Sequence, residues 1–275
     1  MSATKIIYGT AWKKEKTKAL VVSAVLSGFR AVDTACQLKH YREDLVGEAL
    51  QTLYDEHGFK REDLWLQTKF TSISGQDRSQ PLPYDPSDAL PAQIASSFAK
   101  SLSNLRTSYL DSYILHSPMR TYQDTLEAWR VLTGLAESGQ VKQIGLSNVY
   151  DAEMLERLVK DSGRKVDVVQ DRWYEGNGWD VDVVNWCRRN GVQYQSFWTL
   201  TGSPHLVGHP AVAKLAREKG CSPEEVVYKF AQSVGVTPLS GTTSEAHMKA
   251  DVAVERKVEL GAEDVEALST LIAYV

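Results

Sequence analysis

The chain has 275 residues, of which 43% are hydrophobic and 24% charged, and its net charge is -4 at pH 7. These proportions are ordinary for a globular protein, and they disfavour both a disordered chain and a membrane-spanning one. The acidic balance provides no basic excess to neutralise phosphates, which argues against non-specific nucleic-acid binding, although a small anionic ligand needs only a few local cations.

The cysteines and the first residues of the chain indicate the cellular compartment. Cys36, Cys187 and Cys221 are odd in number and far apart, and no zinc-binding spacing of cysteine or histidine occurs. The opening residues "MSATKIIYGTAW" lack the long apolar core of a signal peptide, and no apolar run reaches membrane-spanning length. We therefore expect a cytoplasmic protein with reduced thiols, no membrane partner and no metal site.

Short β-rich runs alternate with longer helical patterns along the whole chain. The predicted strands are residues 5–9, 31–33, 64–69, 112–115, 141–145, 166–170, 192–197 and 236–240. The segments between them show helical periodicity, as at Ile94, Phe98 and Leu102, which recur four residues apart. Eight such repeats without a break in composition predict an α/β protein, a single (β/α)8 TIM-barrel domain over residues 1–275.

Local signals support this pattern. Ser222, Pro223 and Glu225 predict a helix start with a capping box, and Gly139 predicts a helix end. An open doubly wound sheet is the alternative fold, but "IIYGTAWKK" lacks the glycine-rich phosphate turn that such a sheet needs after its first strand. The proline-bearing stretch 71–88 follows the third strand, and we interpret it as a functional loop.

Polar side chains stand where successive strands stop, which is where such barrels carry their chemistry. Asp33, Lys69 and His116 end the second, third and fourth strands. Each has an ordinary explanation by itself: a turn residue for Asp33, a surface position for Lys69, a strand end for His116. Because all three fall at the same end of consecutive strands, we expect them to converge in one cleft.

Five segments, in order, resemble the aldo-keto reductase family: "GFRAVDTA", "WLQTKF", "LDSYILHSP", "LAESGQVKQIGLSN" and "VVQ". The resemblance covers nearly the whole chain. It implies an enzyme that reduces aldehydes or ketones with NADPH, NADH being possible, and it implies catalytic roles for Asp33, Lys69 and His116. The family's proton donor is a tyrosine in the loop after the aspartate. Tyr41 is the favoured candidate, whereas counting back from "LVGEAL" without a gap lands on His40.

The chemistry explains why these residue types belong together. Reduction of a carbonyl needs a hydride, which no side chain supplies, so a nicotinamide must be present. A phenol with a pKa of about 10 is a weak acid at neutral pH. We expect the Lys69 ammonium, held by Asp33, to make Tyr41 a better proton donor, and we expect His116 to donate a hydrogen bond to the carbonyl oxygen.

The resemblance also implies the cofactor contacts. Ser147, Asn148 and Gln170 would hold the nicotinamide carboxamide, and Phe197, with Trp198 as the alternative, would stack on its ring. The remaining candidates would touch the ribose or cover the pyrophosphate: Thr10, Leu200, Gly202 and Ser203.

At the adenosine end the chain departs from the family pattern. Gly241, Thr242 and His247 stand where family members that prefer NADPH often have Lys, Ser and Arg, with Lys249 nearby. Because the arginine, with its paired guanidinium donors, is missing here, use of both NADPH and NADH is plausible, although NADPH remains favoured.

The substrate mouth is expected to be apolar and aromatic. Trp12, Trp173 and Tyr174 lie just beyond strand ends, and the short C-terminal "LSTLIAYV" leaves little tail to cover the mouth. A broad range of small-molecule carbonyls would follow, handled by a monomer or weak oligomer.

Two other classes of function stay open at this point. A regulatory protein could hold the cofactor with little turnover, because the loop carrying Tyr41 is two or three residues longer than is usual in the family. An unrelated barrel hydrolase or isomerase could use Asp33 and His116, since a fold does not fix its chemistry.

Overall fold

The computed structural model describes residues 5–273. In them, eight parallel strands close into a barrel in chain order, with β1 paired to both β2 and β8. The strands are β1 Ile7–Gly9, β2 Ala31–Asp33, β3 Trp65–Phe70, β4 Leu110–Leu115, β5 Val141–Ser147, β6 Val168–Arg172, β7 Gln193–Phe197 and β8 Val236–Ser240. The predicted (β/α)8 barrel is confirmed, and each predicted strand overlaps an observed one.

Helices surround the barrel. They are α1 Thr17–Leu26, α2 Glu43–His57, α3 Leu90–Leu105, α4 Tyr122–Glu137, α5 Ala152–Ser162, α6 Val181–Asn190, α7 Pro204–Val207, α8 Pro210–Lys219, α9 Pro223–Ser233, α10 Glu245–Lys257 and α11 Ala262–Ala273. Short 3-10 helices occupy Lys14–Lys16, Arg61–Asp63, Ile73–Gly75 and Glu175–Asp180. The connection between β7 and β8 contains three of these helices, α7, α8 and α9.

The two faces of each strand have different roles, because successive side chains point to opposite sides. Val32, Leu66 and Tyr113 face the apolar core between barrel and helices and are at most 1% exposed. Asp33 and Lys69 alternate with these apolar neighbours along β2 and β3. The barrel interior therefore carries polar groups at the end where the strands stop.

The predicted helix signals are present. The Ser222 amide donates to Glu225 Oε2 at 2.8 Å, and the Glu225 amide donates to Ser222 Oγ at 3.2 Å, which forms the capping box of α9. Gly139 has a φ of 77°, in the left-handed region that favours glycine, two residues after α4 ends. Local sequence chemistry thus fixes where these helices begin and end.

The proline-bearing stretch after β3 is anchored to the barrel. The buried Tyr84 hydroxyl donates to the Thr71 carbonyl at 2.7 Å, and Gln76 Nε2 donates to the carbonyls of Cys36 and Thr71 at 3.0 and 3.2 Å. This stretch consequently lies beside the ends of the strands. No helix in residues 5–273 combines the length and apolarity needed to cross a bilayer.

The close approach of α2 and α3 gives a test of the packing. A Cβ added to Gly47 would lie 1.8 Å from the Asn104 carbonyl oxygen, whereas one added to Gly134 of α4 meets open space. We expect Gly47→Ala to lower the free energy of unfolding by about 1–3 kcal/mol. Gly134→Ala, the matched control, should raise it by up to about 1 kcal/mol. Urea unfolding measures both, and equal stability of the two variants would contradict this contact.

Candidate active site

An ion pair is buried at the open end of the barrel. The Nζ atom of Lys69, a residue only 1% exposed, lies 2.6 Å from each carboxylate oxygen of Asp33 and 2.9 Å from the Thr34 carbonyl oxygen. All three ammonium protons therefore have acceptors. Burial lowers the pKa of Lys69, and the adjacent Asp33 carboxylate opposes that shift.

A network of side-chain amides holds the carboxylate in place. Asp33 Oδ1 accepts from Gln67 Nε2 at 2.8 Å and from Gln170 Nε2 at 3.0 Å. The same two amide nitrogens donate to Gln195 Oε1 at 2.7 and 2.9 Å. These groups come from β2, β3, β6 and β7 and meet inside the barrel. A buried network satisfied in this way fixes the position of Asp33 and, through it, that of Lys69.

Tyr41 lies beside this pair, in the loop before α2. Its ring centroid is 5.3 Å from Lys69 Nζ and 5.9 Å from the His116 ring centroid, with the two rings edge to face. Burial and the Asp33 carboxylate raise the pKa of the Tyr41 hydroxyl above its ordinary value. The ammonium of Lys69 gives its protons to Asp33 and to the Thr34 carbonyl, and the expectation that its charge makes this phenol a better proton donor stays a prediction.

His116 is held in one protonation state. Burial and the positive charge of Lys69 lower its pKa to about 3, so the ring is neutral at neutral pH. Its Nδ1 lies 2.7 Å from the Thr71 hydroxyl oxygen, and Thr71 is buried. Within residues 5–273 that hydroxyl has no other acceptor, so we assign it as the donor to Nδ1. This assignment places the ring proton on Nε2.

His40, the other residue considered for the proton donor, has a different environment. Its ring stacks on Trp12 with centroids 4.0 Å apart, and its carbonyl accepts from the Trp12 amide at 2.7 Å. The Trp12 indole is 66% exposed. The structure thus puts Tyr41 beside Lys69 and His116, and His40 beneath an exposed indole at the rim.

Hydrogen-bond acceptors stand at the ends of β5 and β6. Ser147 Oγ donates to the Gln170 carbonyl at 2.6 Å, and Asn148 Nδ2 donates to the His116 carbonyl at 2.8 Å and to Ser147 Oγ at 3.2 Å. Both Nε2 protons of Gln170 are donated inside the barrel, to Asp33 and Gln195. The Gln170 side-chain oxygen has no partner among the described residues, and that of Asn148 has only a 3.4 Å contact from the Tyr150 hydroxyl.

One cavity of about 1180 Å³ joins these groups. It runs from the strand ends to the region between β8 and α10, and residues of the loop after β3, Ser72 and Ser74 among them, also line it. The predicted site residues on its wall are Trp12, Asp33, Tyr41, His116, Ser147, Asn148, Gln170, Phe197, Trp198, Leu200, Gly241, Thr242 and His247. Its volume exceeds what a drug-sized ligand needs, so it can take a larger molecule and a small one together.

The prediction that Trp173 lines the substrate mouth is wrong. Trp173 is 1% exposed and belongs to the apolar core. Its ring centroid lies 6.4 Å from that of Trp179 and 6.1 Å from that of Phe230. Its neighbour Tyr174 is not on the cavity wall and packs edge-on against Trp198.

Four predicted cofactor residues are also absent from the wall. Thr10 is buried, and its hydroxyl donates to the Asp33 carbonyl at 2.9 Å. Gly202 donates from its amide to the Trp198 carbonyl, and Ser203 accepts from Trp179 Nε1 at 3.1 Å. Lys249 pairs with Glu245 on the exposed side of α10. The contacts of these four residues thus lie within the protein's own strands, loops and helices.

Several residues of the site were not predicted from the sequence: Lys13, Gln67, Thr71, Arg172 and Gln195. The sequence carries a signal for Gln67 and Thr71. They stand two residues before and two residues after Lys69, so their side chains are expected on the same side of the chain as that of Lys69. Polar residues at alternate positions of an apolar strand are the general sign of such an interior. Among residues 5–273 no three metal-ligating side chains cluster as a metal site would require.

Comparisons with known proteins bear on the family and the fold. The model of the Aldo/keto reductase family matches residues 5–273. A glyoxal reductase of Bacillus subtilis (strain 168) is 27% identical over 252 residues, 91% of this chain and 82% of that protein. The uncharacterized oxidoreductase YtbE of the same organism is 27% identical over 251 residues, with the same coverage. The crystal structure of a Bombyx mori aldo-keto reductase in complex with NADP is similar in fold, with a TM-score of 0.80 at 20% identity over 97% of this chain and 88% of that one.

The neutral His116 ring predicts a pH dependence of stability. Its pKa falls from an ordinary 6.5 to about 3 on folding. Between those values the unfolded chain binds a proton that the folded chain does not, so stability decreases as pH falls through this window. His116→Gln should remove up to about 1.4 kcal/mol per pH unit of that loss. Urea unfolding of both proteins at pH 7 and pH 5 measures it, and equal losses would contradict a neutral buried ring.

Proposed function

This chain belongs to the aldo/keto reductase family, and on that premise we propose that it reduces aldehydes or ketones to alcohols with NADPH, using Tyr41 as the proton donor. The observation that carries the proposal is the meeting of Tyr41 and His116 in one cavity beside the buried Asp33–Lys69 pair. The similarity to a glyoxal reductase supports a carbonyl substrate. All these groups come from one chain, so a monomer suffices for activity.

The ends of β5 and β6 fit a nicotinamide carboxamide. A primary amide has two N–H donors, and the side-chain oxygens of Gln170 and Asn148 are acceptors that face the cavity with little or no competition. Phe197 stands on the same wall and can cover one face of the ring. When bound, the reduced nicotinamide supplies the hydride that no side chain can give.

The adenosine portion would extend toward β8 and α10. Gly241, Thr242 and His247 line this part of the cavity, and Lys13 from the opposite wall donates to the Gly241 carbonyl. A lysine, a hydroxyl and the N-terminal end of α10 suit a phosphate. No arginine lines this end among residues 5–273. We therefore propose NADPH as the principal cofactor and NADH as a weaker alternative.

Tyr41 and His116 have different roles at the carbonyl oxygen: one donates a proton and the other a hydrogen bond. The raised pKa keeps the Tyr41 phenol protonated at rest, which a proton donor requires. As the oxygen gains negative charge, the phenol gives it a proton, and the resulting phenolate is stabilised by the Lys69 ammonium nearby. His116, with its proton on Nε2, donates a hydrogen bond that orients the carbonyl. Thr71 is therefore the residue that makes His116 a donor.

His40 fits the proton-donor role less well. Its contact is the Trp12 indole, and desolvation and Lys39 lower its pKa, which makes the imidazolium harder to form. A neutral imidazole is a poorer acid than an imidazolium at neutral pH. Tyr41 is accordingly the group we assign, and the two assignments give different outcomes on substitution.

Tyr41→Phe tests the assignment. We expect kcat for an aldehyde to fall about 10²–10⁴-fold because the proton is lost from the transition state. The dissociation constant for NADPH, followed by quenching of tryptophan fluorescence, should stay within about twofold. Tyr122→Phe, whose hydroxyl bonds Asp161 at the surface, is the matched control and should keep full activity.

Three results would contradict the proposal in different ways. Normal turnover by Tyr41→Phe together with an inactive His40→Gln would assign the donor to His40. A wild-type protein that binds NADPH tightly but reduces none of a panel of aldehydes and ketones would be a regulatory protein. Absence of any fluorescence change with NADPH or NADH would point to a barrel enzyme of another class.

A further inference from the structure

The mechanism leaves one charged group of the cavity unused. Arg172 ends β6 and lines the cavity. Its guanidinium carbon lies 4.6 Å from the Trp198 ring centroid and 5.5 Å from that of Phe197. Within residues 5–273 the guanidinium forms no salt bridge and no hydrogen bond, and its Nε is buried without a partner. Such a group carries a full positive charge and five donors that nothing in the protein satisfies.

The other cations around the cavity are already engaged. Lys69 is paired with Asp33, and Lys13 donates to the Gly241 carbonyl. Asp171, the neighbour of Arg172 in sequence, points to the other face of the strand, where it accepts from the Val149 amide at 2.9 Å. It is therefore not a hydrogen-bonded partner for Arg172. Among the described lysines and arginines around the cavity, Arg172 is therefore the one whose charged group has no hydrogen-bond or salt-bridge partner.

The guanidinium is also held in a defined orientation. It stacks on Trp198, whose φ of 63° lies in the left-handed region. That backbone is secured by the Gly202 amide, which donates to the Trp198 carbonyl at 2.7 Å, and Tyr174 packs edge-on against the indole. Stacking fixes the plane of an arginine and leaves the donors along its edge for a planar anion such as a carboxylate. Little ordering is then required when that anion binds.

We propose that Arg172 binds an acidic group, a carboxylate or phosphate, carried by the carbonyl substrate, so that the enzyme prefers anionic aldehydes or ketones. This inference rests on the function proposed above. The cofactor's own phosphates are the other anions that the cavity would hold, but the groups that suit them are Lys13, Gly241 and Thr242, beyond the ends of β1 and β8. Arg172 follows Gln170 on β6, at the nicotinamide end, where the reacting carbonyl must lie.

Matched substrates and matched variants test this. The substrates are 3- and 4-formylbenzoate and their methyl esters, which share the aldehyde and differ in charge. Arg172→Met keeps an apolar stem without the charge. Arg157→Met is the control, because the Arg157 guanidinium also lies over an aromatic ring, that of Tyr122, but sits outside this cavity, next to Asp161. We measure kcat/KM for each substrate and the dissociation constant for NADPH.

We expect the wild type to favour at least one formylbenzoate over its ester. Arg172→Met should lower kcat/KM for that acid about tenfold or more, with changes below about threefold for the ester and for NADPH affinity. Arg172→Lys should recover part of the loss, because lysine restores the positive charge but lacks the paired donors of a guanidinium. Arg157→Met should match the wild type.

Equal effects of Arg172→Met on acid and ester, or no effect on either, would overturn the inference while leaving the reductase activity in place. Weaker NADPH binding as the main effect would overturn it too and would assign Arg172 to the cofactor phosphates. A wild type that reduces none of the four aldehydes would count against the proposed function, and the substrate preference would fall with it.

Discussion

The buried Asp33–Lys69 pair is the interaction on which the rest of the site depends. An ammonium as buried as that of Lys69 is strongly unfavourable unless a carboxylate and further acceptors surround it. The barrel provides them by lining its interior with Gln67 and Gln170, whose amides hold Asp33 from two other strands. Eight short strands closed in chain order are what bring these side chains to one point. The polar interior and the closed barrel are thus two aspects of one arrangement.

Burial and the charges of the pair together set the protonation states of the two groups beside it. Burial with Asp33 nearby keeps the Tyr41 phenol protonated, and burial with Lys69 nearby keeps His116 neutral. Two protonated hydrogen-bond donors, one a phenol and one an imidazole N–H, then face the same cavity at neutral pH. This is the combination that an oxygen gaining negative charge requires. Thr71 completes it, since without its hydroxyl the tautomer of His116 would be free to change.

Sequence reasoning located the strands and the residues that end them, because hydrophobic periodicity and strand ends are local signals. It failed where moving by one residue reverses the direction in which a side chain points. Arg172, the last residue of β6, faces the cavity, whereas Trp173, the next residue, faces the core. Just after the strands, Asn148 and Trp198 adopt left-handed backbone with φ of 54° and 63°, which breaks the alternation. At Trp198 such a conformation has no sequence signal, since tertiary packing imposes it, whereas asparagine adopts left-handed backbone more readily.

The central claim is that the charge of Lys69, held by Asp33, stabilises the phenolate left when Tyr41 gives up its proton. The double variant Asp33→Asn/Lys69→Met removes that charge without leaving an unpaired one in the barrel. Its kcat for an aldehyde, measured from pH 6 to 9 after circular dichroism and NADPH titration have shown a folded, cofactor-binding protein, is the most direct measurement. The account predicts a loss of about 10²-fold or more at every pH. Turnover close to that of the wild type would contradict it.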